Sequence, residues 1–138
     1  MKLCIIGHPV SHSLSPAIYG RFFKKIGIDA SYEAVDIPPD EFAEKIASVV
    51  QNFDGFNVTI PFKEKVVAHV VSHVEPPLSA INCVFEGKGY NTDWVGFGKP
   101  LLKRPIVEPV MVIGAGGAAR AVIFFLRKAG VKRVELLN

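Results

Sequence analysis

Cysteine is scarce in this chain, with Cys4 and Cys83 the only two among 138 residues. Both stand in apolar, strand-like runs and read as buried, reduced thiols, which excludes a disulfide framework and a cysteine-based metal site. Charge of one sign is also in short supply. The formal net charge is +3, from 16 Lys and Arg against 13 Asp and Glu, and the basic residues are scattered. No nucleic-acid partner is expected from such a balance, whereas a small anionic substrate is compatible with it. Long hydrophobic runs are lacking too: no stretch approaches the roughly 20 apolar residues of a membrane span. The opening Met1-Lys2-Leu3-Cys4-Ile5-Ile6-Gly7 breaks at Gly7, too early for a signal peptide. The expectation is a soluble, cytoplasmic protein with no membrane partner. Internal repeats and low-complexity segments are absent.

What is present is ample core material, with a hydrophobic fraction of 49% and ten Phe. Leu3–Ile6 reads as a buried parallel strand ending at Gly7. Ser15-Pro16 opens a helix, with Ser15 as its N-cap, Tyr19, Phe22, Phe23 and Ile26 on its buried face, and Gly27 as terminator. Tyr32–Ile37 is the second predicted strand. A helix starting from Pro38-Pro39-Asp40-Glu41 follows, with Phe42, Ile46, Val49 and Val50 on one face. Asp54–Ile60 is the third strand, and a third helix runs from Phe62 to about Val74, closed by Glu75-Pro76-Pro77. Ala80–Phe85 and Tyr90-Asn91 form a hairpin around Glu86-Gly87-Lys88-Gly89. Thr92 or Asp93 caps a short linker helix to about Lys103.

This alternation predicts an α/β fold: an open, mostly parallel sheet domain over 1–103, then the first βαβ unit of a Rossmann-type nucleotide domain over 104–138. Pro100, Pro105 and Pro109 mark the boundary.

Within the first part, Gly55-Phe56-Asn57-Val58-Thr59-Ile60-Pro61-Phe62-Lys63 breaks the core pattern. Val58 and Ile60 alternate with Asn57, Thr59 and Pro61, and proline cannot donate to a sheet ladder. Asn57, Thr59 and Lys63 therefore gather at the carboxyl end of a strand, the edge where open α/β sheets bind ligands. An edge strand with solvated polar residues gives the same pattern. Ser13 and Ser15 sit at a helix N-terminus, where hydroxyls can cap or hold a carboxylate. Gly89-Tyr90-Asn91-Thr92-Asp93 can likewise cap a helix or deliver a carboxylate to the edge that carries Lys63. His69 and His73 have i, i+4 spacing but no accompanying carboxylate. They read as solvated beside the core face of Val66, Val67, Val70 and Val74, and no metal is expected.

In the second part, a strand Val110–Ile113 runs into Gly114-Ala115-Gly116-Gly117-Ala118-Ala119 and then a helix stopped by Gly130. Gly114, Gly116 and Ala119 fit the dinucleotide fingerprint: a tight turn, close backbone approach to a pyrophosphate, and tight helix–strand packing. A glycine-rich turn without ligand is the alternative. NAD-binding versions carry an acidic residue about 20 positions on, at the tip of the second strand. That tip is Asn138 here, which leans toward NADP.

Taken together, Ser13-Leu14-Ser15-Pro16, Asn57-Val58-Thr59-Ile60-Pro61-Phe62-Lys63, Ala80-Ile81-Asn82-Cys83, Asn91-Thr92-Asp93 and Gly114-Ala115-Gly116-Gly117-Ala118-Ala119-Arg120 resemble, in order, the recurring blocks of the shikimate dehydrogenase family. The blocks run the length of the chain. The resemblance implies NADP-dependent, reversible reduction of 3-dehydroshikimate to shikimate in the aromatic amino-acid (chorismate) pathway. It implies that Ser13 and Ser15 hold the substrate carboxylate, that Asn57, Thr59, Lys63, Asn82 and Asp93 contact the ring hydroxyls and the reacting carbonyl, and that Lys63 and Asp93 are the catalytic pair. Gly114, Ala115, Gly116, Gly117, Ala118, Ala119 and Asn138 would face the cofactor. Cys83 and Trp94 stand where the family often has Thr and Gly.

A full Rossmann domain needs about 150 residues, and only Val110–Asn138 follows Pro109 here. The expectation is therefore an N-terminal portion of such an enzyme. Two alternatives accompany the dehydrogenase reading: an inactive piece that binds shikimate only, and a quinate/shikimate dehydrogenase. A monomer or homodimer is expected of the complete enzyme.

Overall fold

The computed structural model describes residues 1–75 and 77–138. The expected helix closure at Glu75-Pro76-Pro77 falls in part on Pro76, outside the described residues. The chain packs as two compact units, Met1–His73 with Ile81–Tyr90, and Val74–Ala80 with Asn91–Asn138.

In the first unit, the apolar Leu3-Cys4-Ile5-Ile6 run becomes the middle of β1 (Lys2–Gly7), with Cys4 and Ile6 fully buried. A strand apolar on both faces needs a neighbour on each side and cover above and below. It receives parallel neighbours in β2 (Ser31–Asp36) and β3 (Gly55–Val58). The sheet continues antiparallel from β3 through β5 (Cys83–Phe85) to β6 (Lys88–Tyr90), joined by a hairpin whose turn is Glu86-Gly87 alone, where the sequence suggested all of Glu86-Gly87-Lys88-Gly89. β4 (Val71–Ser72) closes the far edge, parallel to β6, giving the order β2-β1-β3-β5-β6-β4. This is the mixed, mostly parallel α/β sheet expected from the sequence.

Helix α1 (Ser15–Ile26) ends at Gly27, whose left-handed φ of 68° lets its N–H and that of Ile28 both reach the Phe23 carbonyl. Of the four apolar residues assigned to its buried face, only Phe23 is buried, while Phe22 and Ile26 stay 50% and 46% exposed. The reason is position: α1 packs on β2, the edge strand of the sheet, so only a narrow stripe meets partners. Helix α2 (Phe42–Asn52) behaves as predicted at three positions, burying Phe42, Ile46 and Val49.

The largest departure is the third helix. Only Lys65–His69 is helical, as a single 3-10 stretch, and Val70 then turns extended at φ −139° and ψ 161°. Val71 and Ser72 leave as a strand beside β6. Val66, Val67, Val70 and Val71 carry stiff β-branched side chains with poor helix propensity, and an open sheet edge offered them a ladder. The helical face predicted for His69 and His73 therefore does not exist. His69 meets the edge of Phe42 and His73 stacks on Tyr90.

The second unit contains α3 (Asp93–Gly98), shorter than the linker helix expected, followed by β7 (Val110–Ile113), α4 (Gly117–Lys128) and β8 (Val134–Leu137). β7 and β8 pair in parallel, as a βαβ unit requires. Helices α3 and α4 meet through edge-on aromatic contacts, Trp94 with Phe124 and Phe97 with Phe125. Gly98 is buried because a Cβ there would stand 2.1 Å from the Phe125 ring.

Candidate functional site

The nine-residue stretch singled out above leaves the sheet at Val58, where β3 ends. Thr59 remains tethered by its N–H to the Ile6 carbonyl, and its own carbonyl accepts the Phe62 N–H in a turn. The Ile60–Pro61 peptide is cis, as is His8–Pro9, and the His8 N–H bonds the Ile60 carbonyl at 2.9 Å. Thr59 fits against the end of β1 only because Gly7 has no side chain: a Cβ there would lie 2.4 Å from Thr59 Cγ2. The loop after β1 and the turn after β3 thus close on one another. Between them is a cavity of about 300 Å³ lined by Ser13, Thr59, His8, His12 and Ile60 among others.

The loop carrying Ser13 is held by Asp36, at the end of β2. Its Oδ1 accepts the Val10 N–H at 2.8 Å, and its Oδ2 lies 3.1 Å from His8 Nδ1. The Val10 N–H, aided by His8 and Lys45, holds the Asp36 carboxyl below the usual carboxylate range.

Ser15 is not the N-cap that the sequence suggested. It is the first residue of α1, after Leu14 at the N-cap position, and its N–H donates to Ser13 Oγ at 3.2 Å. Leu14 has no side-chain oxygen to cap with, so the serine before it takes that N–H.

Asn57, Lys63 and Asn82 are drawn together by backbone bonds. The Asn82 carbonyl accepts both the Val58 N–H at 2.9 Å and Asn57 Nδ2 at 3.3 Å. The Lys63 carbonyl accepts the N–H of Ile81 at 2.7 Å, and the Asn82 N–H donates to Tyr90. These bonds explain why the predicted strand over Ala80–Phe85 begins only at Cys83: the preceding residues spend their backbone groups on Lys63 and Tyr90. Lys63 lies just before the 3-10 stretch and is partly buried.

A residue with no sequence signal joins this group. Tyr32, on β2, donates its hydroxyl to Asn57 Oδ1 at 2.7 Å and stacks on Tyr19 of α1 at 4.4 Å. Nothing in the sequence links positions 32 and 57, because the connection runs across β1. Asn57, Tyr32 and Cys83 line a second, more apolar cavity of about 230 Å³, so Asn57 and the Ser13–Thr59 pair border different hollows. Burial pushes the Cys4 thiol up to about 12, with Glu33 adding, and burial also raises Cys83. Both are free and poorly nucleophilic.

In the second unit Asp93 opens α3 and Thr92 stands at its N-cap position, as one of the two readings had it, but the side chain that takes the first helical N–H groups is that of Asn91. Asn91, buried with 7% exposure, accepts the Asp93 and Trp94 N–H groups on Oδ1. The fingerprint loop lies where predicted. Gly114 has φ 99°, a conformation side chains resist, and its N–H bonds the Leu137 carbonyl at 2.7 Å, beside the end of β8 that precedes Asn138. Gly116 precedes α4, and a Cβ at Gly114 or Gly116 would meet nothing within 4 Å. The first helical N–H groups, from Gly117 to Ala119, have no intrahelical acceptor. Among the described residues there is no cluster of three or more metal-ligating side chains, and no helix is long and apolar enough to cross a membrane.

A mixed α/β sheet unit with a polar strand end, followed by a βαβ unit with a glycine fingerprint, defines the class: a two-unit α/β protein of the dinucleotide-fingerprint type. Residues 5–84 match the model of the shikimate dehydrogenase substrate binding domain. The chain is 51% identical to the shikimate dehydrogenase (NADP(+)) of Thermotoga maritima, an alignment covering 100% of this chain and 55% of that one. The crystal structure of shikimate dehydrogenase from that organism superposes with a TM-score of 0.94 at 50% identity, over 99% of this chain and 54% of that one. The Thermus thermophilus enzyme, solved in complex with NADP(H) and shikimate, gives 0.85 at 40% identity, over 99% and 55%. The chain belongs to the shikimate dehydrogenase family, and it spans about half the length of the curated relatives it matches.

Proposed function

We propose that this chain carries the substrate half, residues 1–103, and the opening of the cofactor half, residues 104–138, of an NADP-dependent shikimate dehydrogenase. The observation that supports this best is the bond set fastening Asn57, Lys63 and Asn82 at one strand end, inside the span matched by the substrate-domain model. A polyhydroxylated ring acid needs several fixed donors and acceptors at short range, and rigid backbone anchors supply them without ordering cost on binding.

In this reading Ser13 and Ser15 hold the substrate carboxylate. Asn57, Thr59 and Asn82 take ring hydroxyls, with Thr59 held against Gly7 and Asn57 braced by Asn82. Reduction of the ketone puts a hydride on carbon and a proton on oxygen, and the growing charge on oxygen needs a cationic donor. Lys63 is that donor, and in the oxidative direction its neutral amine receives the hydroxyl proton. Asp93 is assigned as its partner on the family resemblance alone. NADPH, when bound, supplies the hydride.

The residues present suit that cofactor. Gly114 and Gly116 leave open space for a pyrophosphate before the α4 N-terminus, where N–H groups and the helix dipole favour an anion. Gly114, Ala115, Gly116, Gly117, Ala118, Ala119 and Asn138 are the proposed contacts, and the lack of a carboxylate at Asn138 leaves room for a 2′-phosphate. Free, poorly reactive thiols suit a reducing cytoplasm. Synthesis of aromatic amino acids is the corresponding process, and a monomer or homodimer is the proposed form of the complete enzyme.

Two measurements test the proposal. Shikimate titrated into the chain should give saturable binding by calorimetry. Shikimate-dependent NADP reduction should be weak or absent in this chain alone. Binding without turnover is the outcome expected of a chain that carries the substrate site and only the opening of the cofactor half. Absence of binding would defeat the substrate assignment, and comparable binding of quinate would favour the broader specificity.

A further inference from the structure

Tyr32 was not among the sequence-predicted site residues, yet it touches one that was. Its hydroxyl donates to Asn57 Oδ1 at 2.7 Å. Its ring is clamped by Tyr19, stacked at 4.4 Å with only 9° between the planes. A carboxamide can present oxygen or nitrogen in either direction, and its neighbours decide which. Here the Asn82 carbonyl at 3.3 Å can accept only from the nitrogen, which sets the flip, and the oxygen then takes the Tyr32 hydroxyl. The first bond chooses the orientation, and the second holds the other arm of the carboxamide in place.

The position of Tyr32 makes it suitable for this task. It is set on β2 opposite Leu3 of β1, which in turn faces Gly55 of β3, so the phenol reaches over β1 toward Asn57 from a paired strand. Burial pushes its hydroxyl well above the usual phenol range, with Tyr19 and the two cysteines adding and Ser15 opposing. The group is therefore a neutral donor throughout the ordinary pH range.

We propose that Tyr32 is a positioning residue for the substrate site: it holds the Asn57 carboxamide in the orientation that the Asn82 carbonyl sets, so that the remaining Asn57 N–H is presented to an acceptor oxygen of a polyhydroxylated carboxylate. This rests on the functional reading above only for the identity of the ligand. The orientation of Asn57 is a property of the chain itself. A phenol bonded to a proposed ligand-binding side chain sets that side chain's placement without touching the ligand, and that is why it acts on affinity through Asn57.

The test uses Tyr32→Phe, which keeps the ring and its stacking on Tyr19. By NMR, the two Asn57 side-chain amide protons should be separate and slowly exchanging in the parent, and should exchange about tenfold faster in the variant. An unchanged pair overturns the proposal. In the unsubstituted chain, a Tyr32 hydroxyl proton protected from exchange and correlated with the Asn57 side-chain carbonyl is expected. A freely exchanging hydroxyl overturns the proposal whatever the variant does. By calorimetry, shikimate should bind about tenfold more weakly to Tyr32→Phe than to the parent. In an Asn57→Ala background the same substitution should cost nothing further, whereas additive losses would assign Tyr32 an independent role and defeat the proposal. A parent chain that binds no shikimate while its Asn57 signals respond to Tyr32→Phe would overturn the proposed function and the ligand named here, and leave the orienting bond standing.

Discussion

Asn91 holds Ala80 and the start of α3 with one buried carboxamide. Its Nδ2 donates to the Ala80 carbonyl at 2.7 Å, and its Oδ1 accepts the Asp93 N–H at 3.0 Å. The side chain therefore does two things at once, capping a helix and satisfying a carbonyl of a segment eleven positions earlier. It also fixes the backbone from which Asp93 projects. Asn91→Leu, near in volume, leaves the Ala80 carbonyl and the first N–H groups of α3 without this partner. A loss of about 2–3 kcal/mol is expected in urea unfolding. A midpoint unchanged from the parent would show that the carboxamide contributes little.

Two glycines of α3 should respond to alanine with opposite signs. At Gly98 the added methyl would meet the Phe125 ring at 2.1 Å, a clash within the packed α3–α4 contact. A destabilisation of about 1–3 kcal/mol is expected. At Gly96 a Cβ meets nothing within 4 Å, and helical alanine should stabilise by about 0.5–1 kcal/mol. Thermal melts of the two variants decide this, and equal shifts would refute the packing argument.

The loop that bears Ser13 should loosen in acid. Asp36 has a depressed native carboxyl, chiefly through the Val10 N–H. The sign follows from linkage: the ionised form is favoured by folding, so its contribution is complete above the unfolded value near pH 4 and fades as pH falls through the lower native value. The protection factor of the Val10 amide, with intrinsic exchange divided out, should fall as pH drops below about 4. Asp36→Asn should show fast exchange already at neutral pH, without that acid step. Because the carboxylate is exposed, the effect belongs to local order rather than to global stability.

Lys63→Ala, in a turnover-competent form of the enzyme, should lower kcat by about 10²–10⁴-fold while shikimate affinity changes far less. Steady-state kinetics with NADP and shikimate separate the two parameters. Retained kcat would make Lys63 a structural residue that serves through its carbonyl bond to Ile81.

The first strand, the two amphipathic helices, the Glu86-Gly87 hairpin and the glycine loop were readable because each is a local signal. Apolar runs, a glycine able to take positive φ, and the turn chemistry act over a few residues and do not depend on distant neighbours. The third helix was misread for the same reason. Its valines suit a strand as well as a helix face, and what decided was a vacant edge on β6, which no local window contains. The side chains that take the first helical N–H groups were also not legible: they are Ser13 and Asn91, each one residue before the N-cap positions Leu14 and Thr92.

The sequence by itself determined the chemistry available here: two serines before a helix, Asn57, Thr59 and Lys63 around a proline, and a glycine fingerprint after a strand. Side-chain type and short spacing carry that information directly. Only the tertiary structure decided which of these groups are held and by what. Strand order β2-β1-β3 set Tyr32 within a hydrogen bond of Asn57 across 25 residues of sequence, and Asp36 within reach of Val10 across 26. Such pairings arise from sheet register, which the whole unit fixes by burying one set of side chains. They have no signature in either segment alone.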